Sequence, residues 1–100
     1  MTDQDQIQLI AYLFAKPGKA QALIDALLSI VPAVLKETGC IAYTPHISRE
    51  NPDMVVMYEI WADQATHDAH AKGANLGALA AQFGDLLAEP LRVEPLRRLD

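Results

Sequence analysis

Apolar residues recur along this chain with two different periods, and the changes of period mark its elements. Ile7 to Phe14 is almost continuously apolar, with Ile7, Leu9, Ala11 and Leu13 alternating with Ile10, Tyr12 and Phe14. That pattern predicts a strand covered on both faces. Lys16-Pro17-Gly18 is turn punctuation that can start a helix. From Lys19 to about Glu37 the period becomes helical: Leu23, Leu27, Val31 and Val34 recur at steps of four, four and three. Pro32 lies inside this run and predicts a kink, because it has no N–H for the Leu28 carbonyl. Gly39 is placed to end the helix in the left-handed conformation.

Cys40 to Ser48 and Met54 to Trp61 read as two strands. The short turn Arg49-Glu50-Asn51-Pro52-Asp53 between them predicts an antiparallel hairpin. Asp63 can cap a short helix from Gln64 to about Lys72, which Gly73-Ala74-Asn75 breaks. Leu76 to Leu87 reads as one further helix, with Leu76, Leu79, Ala80, Phe83 and Leu87 on one face. Leu91 to Leu99 reads as a last strand, and Pro95 inside it points to a sheet edge. The order is β-α-β-β-α-β with the second α divided, so the predicted fold is α+β and ferredoxin-like, an antiparallel sheet with helices on one face. A sheet apolar on both faces but helix-covered on one needs a partner, and a homodimer through the open sheet face is the economical solution.

Composition narrows the class. A chain of 100 residues fits one domain, here residues 7–100 behind a polar, disordered leader over residues 1–6. A hydrophobic content of 51% is rich for so short a chain and favours a buried subunit interface. The net charge is −5, and the eight Lys and Arg form no stripe, which excludes nucleic acid as the expected partner. Cys40 is the one cysteine, compatible with a reducing compartment. No basic-then-apolar signal opens the chain, and no apolar run approaches the ~20 residues that span a bilayer. The expected location is the cytoplasm, with no membrane association.

Chemically capable side chains gather at one corner. Tyr58-Glu59-Ile60-Trp61 ends a strand and leads into the short helix that carries His67 and His70. Trp61 and Glu59, two apart, share a strand face, and His67 and His70, three apart, share roughly one helix face. An imidazole titrating near neutrality can take a proton from a phenolic substrate, and it can equally be a surface histidine favourable to the end of a helix. Trp61 can stack on a flat substrate and donate its N–H, or simply pack in the core. Glu59, if buried, needs a partner, for which Tyr43 or a second subunit's arginine are candidates, and a structural hydrogen-bond role is favoured for it. His67 is expected to be exposed. A metal site from His46, His67 and His70 lacks supporting ligands such as a Cys cluster, and none is assigned.

Taken in order, Lys16-Pro17-Gly18, Ile30-Val31-Pro32 through Val34-Leu35-Lys36-Glu37, Gly39-Cys40 with Tyr43, Tyr58-Glu59-Ile60-Trp61 and His70 resemble the antibiotic biosynthesis monooxygenase family of dimeric α+β barrels. Within it the chain is most similar to the bacterial quinol monooxygenases, over about Ile7 to Leu96. The resemblance implies an enzyme that oxidises a quinol or polycyclic phenol with O2 and uses no cofactor, the substrate itself being the reductant. The resemblance strengthens His70 as the base, with Trp61 beside it as the catalytic pair; Tyr12 and Tyr43 carry phenols that can line a pocket or simply pack with their hydroxyls satisfied, and Tyr58, His67 and Asn75 complete the substrate-binding candidates. Two departures stand out. Ala74-Asn75-Leu76 replaces the Pro-His-aromatic of many relatives, and the first strand lacks the Asn used by haem-degrading members. A non-catalytic small-molecule-binding or stress-response dimer, and an isomerase of a small signalling metabolite, are the alternatives.

Overall fold

The structure is a computed structural model that describes residues 5–100. Most of the expected leader lies outside the described residues; of its last two positions, Asp5 is exposed and Gln6 half-buried. The elements are β1 (Ile7–Phe14), α1 (Ala20–Leu35), β2 (Cys40–Ile47), β3 (Met54–Trp61), α2 (Gln64–Ala71), α3 (Ala74–Ala80), α4 (Phe83–Leu86) and β4 (Arg92–Leu96). The strands form one sheet in the order β2-β3-β1-β4. Every pairing in it is antiparallel. This is the ferredoxin-like arrangement that the alternation of periods implies.

One sheet face is packed under the helices. Leu9, Ala11 and Leu13 of β1 meet Val55, Met57 and Trp61 of β3, and Leu23, Leu27 and Val34 of α1 close over them. These helical residues belong to the stripe read from the sequence, and each fully buried aliphatic chain stabilises the fold by about 1.5–3 kcal/mol. The other face carries Ile10, Tyr12, Phe14, Val56, Tyr58 and Ile60, and none of them is fully buried. Among the described residues no helix is long and apolar enough to cross a membrane.

Several boundaries differ from the sequence pattern. α1 continues through Pro32 without interruption and ends at Leu35 rather than Glu37. The Lys36 and Glu37 amides then bond to the Ala33 and Val34 carbonyls, a tighter last turn that leads the chain off the helix axis. Gly39 does take a positive φ, of 81°. A Cβ there would also stand 2.5 Å from the Thr66 side chain, so only glycine lets the turn lie against α2. α2 does end before Gly73, at Ala71, but the break is confined to Lys72 and Gly73, and Ala74 and Asn75 already open α3. The expected single helix over residues 76–87 is instead α3 and α4, separated at Ala81-Gln82, where Gln82 bonds back to the Leu79 carbonyl. Gly77 and Gly84 lower the helical propensity of that run, and burial of Leu79, Leu86 and Leu87 decides its path. β4 stops at Leu96, and it is an exposed edge strand, as Pro95 suggests.

Candidate active site

β3 delivers Glu59 and Trp61 to the helix-covered face. Trp61 is fully buried, and its Nε1–H donates to Glu59 Oε1 at 3.0 Å. The buried Glu59 therefore finds a partner two residues along its own strand. α2 is anchored immediately after this strand. The Asp63 carboxylate accepts from the Thr66 N–H at 2.9 Å, and the Asp63 N–H donates to Thr66 Oγ1 at 3.3 Å. This reciprocal cap, worth about 1 kcal/mol, sets the phase at which the helix presents its histidines. His70 then stacks on Trp61 with centroids 4.5 Å apart, while Tyr43 meets the His70 ring edge-on at 5.5 Å. His67 is half-buried rather than exposed, 6.1 Å from the Trp61 ring.

Glu37, just beyond α1, holds His70 from the other side. Its Oε1 lies 3.0 Å from His70 Nδ1, and its Oε2 accepts from Asn75 Nδ2 at 2.9 Å. A carboxylate accepts and does not donate, so this contact assigns the proton of a neutral His70 to Nδ1. Nε2 is left as the free acceptor, since among the described residues no protein group bonds it. The role of Glu37 was not apparent in the sequence, where it is only the last polar residue of a helical run. The one clue is indirect: the strand that begins three residues later pairs Cys40 with Trp61, which brings Glu37 to the same corner.

Burial dominates the electrostatics here. Glu59 titrates above the ordinary carboxylate range, raised first by desolvation; the Trp61 N–H and His70 pull it down, and Glu37 adds to the rise. The Tyr43 phenol is pushed up by burial and then by Glu59 and Glu37, so it stays protonated. Desolvation and the neighbouring His70 lower His67, against a small opposing pull from Asp68. Burial, assisted by Glu37 and Glu59, pushes the Cys40 thiol up to about 11, which disqualifies it as a nucleophile.

Between the sheet and the helices lies a cavity of about 140 Å³. Tyr43, Glu59, His67 and His70 supply its polar side chains, and apolar residues from β1, β4, α1, α3 and α4, with Met57, Ala71 and Leu91, supply the rest. Four of the expected site residues stand elsewhere. Tyr12 and Tyr58 point to the opposite sheet face, because strand alternation puts even-numbered residues of β1 and β3 there. The Tyr12 hydroxyl donates to Glu94 at 3.2 Å, and Arg92 lies over its ring. Asn75 is engaged by Glu37 and does not line the cavity. Trp61 does not line it either: it backs His70, and its N–H belongs to Glu59. His46 sits on the outer face, paired with Val56, apart from His67 and His70. Among the described residues no group of three or more His, Cys, Asp or Glu is arranged to hold a metal ion. A larger, open groove of about 440 Å³ runs along the C-terminal tail but shares no residue with this site.

A ferredoxin-like sheet with a small, largely apolar cavity beneath its helices defines the class. The chain belongs to the antibiotic biosynthesis monooxygenase family, whose model matches residues 7–88. It is 34% identical over 98 residues to the "Probable quinol monooxygenase YgiN" of Escherichia coli K12, across 87% of this chain and 94% of that protein. Among solved structures, protein SO0527 from Shewanella oneidensis superposes with a TM-score of 0.86 at 35% identity, covering 94% of this chain and 91% of that one. PA3566 from Pseudomonas aeruginosa gives 0.91 at 28% identity, with both chains covered completely.

Proposed function

We propose that this protein is a cofactor-independent monooxygenase that oxidises a quinol or a closely related electron-rich phenol with O2. One observation carries the reading: a buried imidazole, His70, lines an apolar cavity with Nδ1 held by a carboxylate and Nε2 unengaged. Family membership and the similarity to a probable quinol monooxygenase support it. A substrate hydroxyl gives its proton to Nε2, and Glu37 stabilises the imidazolium that results. The phenolate passes one electron to O2, and the two radicals combine at a ring carbon to form a hydroperoxide. Loss of water leaves the hydroxyquinone, so quinol and O2 become hydroxyquinone and water. The substrate is the reductant throughout, and the protein contributes orientation, desolvation and proton transfer.

A second copy of the chain covers the outer sheet face in this reading, burying Ile10, Phe14 and Tyr58 and completing the assembly. The lone cysteine and the absence of a pairing partner fit work in a reducing cytoplasm.

The test is O2 uptake with a panel of reduced quinols, with neither metal nor flavin added. His70→Ala is expected to lower turnover by roughly 10²–10⁴ while the assembly persists. Unchanged turnover would remove His70 from the mechanism. Saturable binding with no O2 uptake from any quinol would replace the oxygenase with a binding protein.

A further inference from the structure

We propose that Asn75 is a positioning residue for the buried imidazole, acting through Glu37. Asn75 does not line the cavity; its amide bonds the carboxylate that fixes where the His70 proton sits. The inference rests on the oxygenase reading for its effect on turnover, though not for its effect on the His70 ring.

Two kinds of contact hold His70. Trp61 stacks on its ring at 4.5 Å and Tyr43 meets it edge-on at 5.5 Å, so packing sets where the ring lies. Packing does not set which nitrogen carries the proton. A neutral imidazole has one donor and one acceptor nitrogen, and the partner of one decides the role of the other. Here the partner is Glu37 Oε1, 3.0 Å from Nδ1. Once that carboxylate turns away, the ring can carry its proton on Nε2, and Nε2 then cannot accept one from a substrate.

Glu37 has somewhere else to go. Its backbone is fixed, with its N–H on the Val34 carbonyl and its own carbonyl accepting from the Cys40 N–H. Its side chain is 21% exposed, so water reaches it. Glu37 also lines an open surface groove of about 420 Å³, together with Thr38, Thr66, Asn75 and small residues of α2 and α3. A carboxylate gains hydration by turning into such a groove, unless protein donors replace the water.

Asn75 supplies that replacement. Its Nδ2 donates to Glu37 Oε2 at 2.9 Å, which leaves Oε1 to His70. A carboxylate only accepts, so the amide nitrogen is the atom that faces it. Of the other residues lining the groove, only Thr38 and Thr66 carry polar side chains. The Thr66 hydroxyl already donates to the Asp63 carbonyl at 3.0 Å, and among the described residues no bond joins Thr38 to Glu37. The tight step from α2 into α3 brings the amide into place: the Gly73 N–H donates to the His70 carbonyl at 3.0 Å, and α3 opens at the next residue. One carboxylate is thus gripped from two successive helices, by the imidazole of the first and the amide of the second.

The test is nitrogen NMR on the intact, ligand-free protein with labelled histidines, observing the neutral ring. Asn75→Asp keeps the shape of the side chain and turns its donor into an acceptor that repels Glu37. Asn75→Ala removes the group altogether. The unaltered protein is expected to show His70 as one tautomer, protonated on Nδ1. Both variants are expected to show a mixture of the two tautomers, with circular dichroism unchanged. A His70 tautomer unaltered in both variants overturns the inference, even where their melting temperatures fall, because a purely structural tie would do only that. Oxygen uptake with reduced quinols is the second readout. Asn75→Asp is expected to lower kcat by about tenfold with KM little changed. An unchanged kcat beside turnover by the unaltered protein keeps the oxygenase and overturns the role of Asn75 in it. A changed tautomer in a protein that oxidises no quinol keeps the hold of Asn75 on His70 and sinks the oxygenase.

Discussion

The two faces of the sheet are built from the same strands and nearly the same kinds of residue, yet they end in different states. Leu9, Ala11 and Leu13 on one side of β1 are buried under helices, and the site is built on that side around Glu59 and Trp61. Ile10, Tyr12 and Phe14 on the other side remain half-buried, and Tyr58 beside them is 38% exposed. Hydrophobicity therefore does not distinguish the helix-covered face from the outer one. What distinguishes them is that the helices cover one face and bring carboxylate and imidazole partners to it, so that ionisable groups can be buried there at tolerable cost. The outer face has apolar surface and a peripheral Tyr12–Glu94 contact, with no buried carboxylate–imidazole pair like Glu37–His70 among the described residues.

The sharpest way to break this comparison is Trp61→Ala. If the inner face is the structural and chemical centre, losing this fully buried ring costs about 3–5 kcal/mol and removes the surface on which His70 stacks. Urea unfolding that shows a loss below about 1 kcal/mol would move the centre elsewhere. Ile10→Asp addresses the outer face. It is expected to leave the helical circular dichroism in place while converting a dimer to a monomer in analytical ultracentrifugation. An unaltered sedimentation coefficient would mean that this face is not the interface.

Smaller effects probe the polar corner itself. Glu37→Gln keeps the shape but weakens a bond to His70 and one to Asn75, and a stability loss of about 1–2 kcal/mol is expected by thermal unfolding. The His70 ring nitrogens should also lose their fixed tautomer in nitrogen NMR, and spectra identical to the parent's would deny Glu37 that role. Glu59→Gln should show the least effect, and a pH-dependent one. Glu59 titrates in the fold above its ordinary value of 4.5, so its favourable neutral form is fully present below that pH. That stability is lost as pH rises through the elevated folded value. The variant should therefore lose less stability than the parent between acid and neutral pH, converging with it near pH 4.5. A parent that grows steadily more stable than the variant over that range would mean the carboxylate is better solvated than its burial implies.

Much of this was legible in residue order. The strand β3 matches its apolar run end to end, and Asp63 caps α2 as its position suggests. The face shared by Glu59 and Trp61 and the separation of His46 from Tyr43 both follow from strand alternation. The corner that joins His70 to Trp61 was also readable, because both lie within one strand–helix connection. Residues distant in sequence were not. Glu37 is 33 positions from His70 and 38 from Asn75, and no local period records such a pairing. Tyr12 and Tyr58 lie on the opposite face for a local reason, since strand alternation separates Tyr58 from Glu59 and Trp61. The limit that hid Glu37 also hid the break between α3 and α4, where burial of Leu79 and Leu86 overrides a continuous helical pattern.

Local chemistry by itself determined the order of elements, the antiparallel hairpin and the clustering of Glu59, Trp61, His67 and His70. Each depends on backbone periods and on neighbours a few residues apart, which the chain carries in its own order. Only the tertiary structure decided which apolar face receives the helices, that Glu37 holds His70, and how large a cavity remains beside them. Those depend on contacts between elements separated by long loop closures, and on packing densities that no single segment contains.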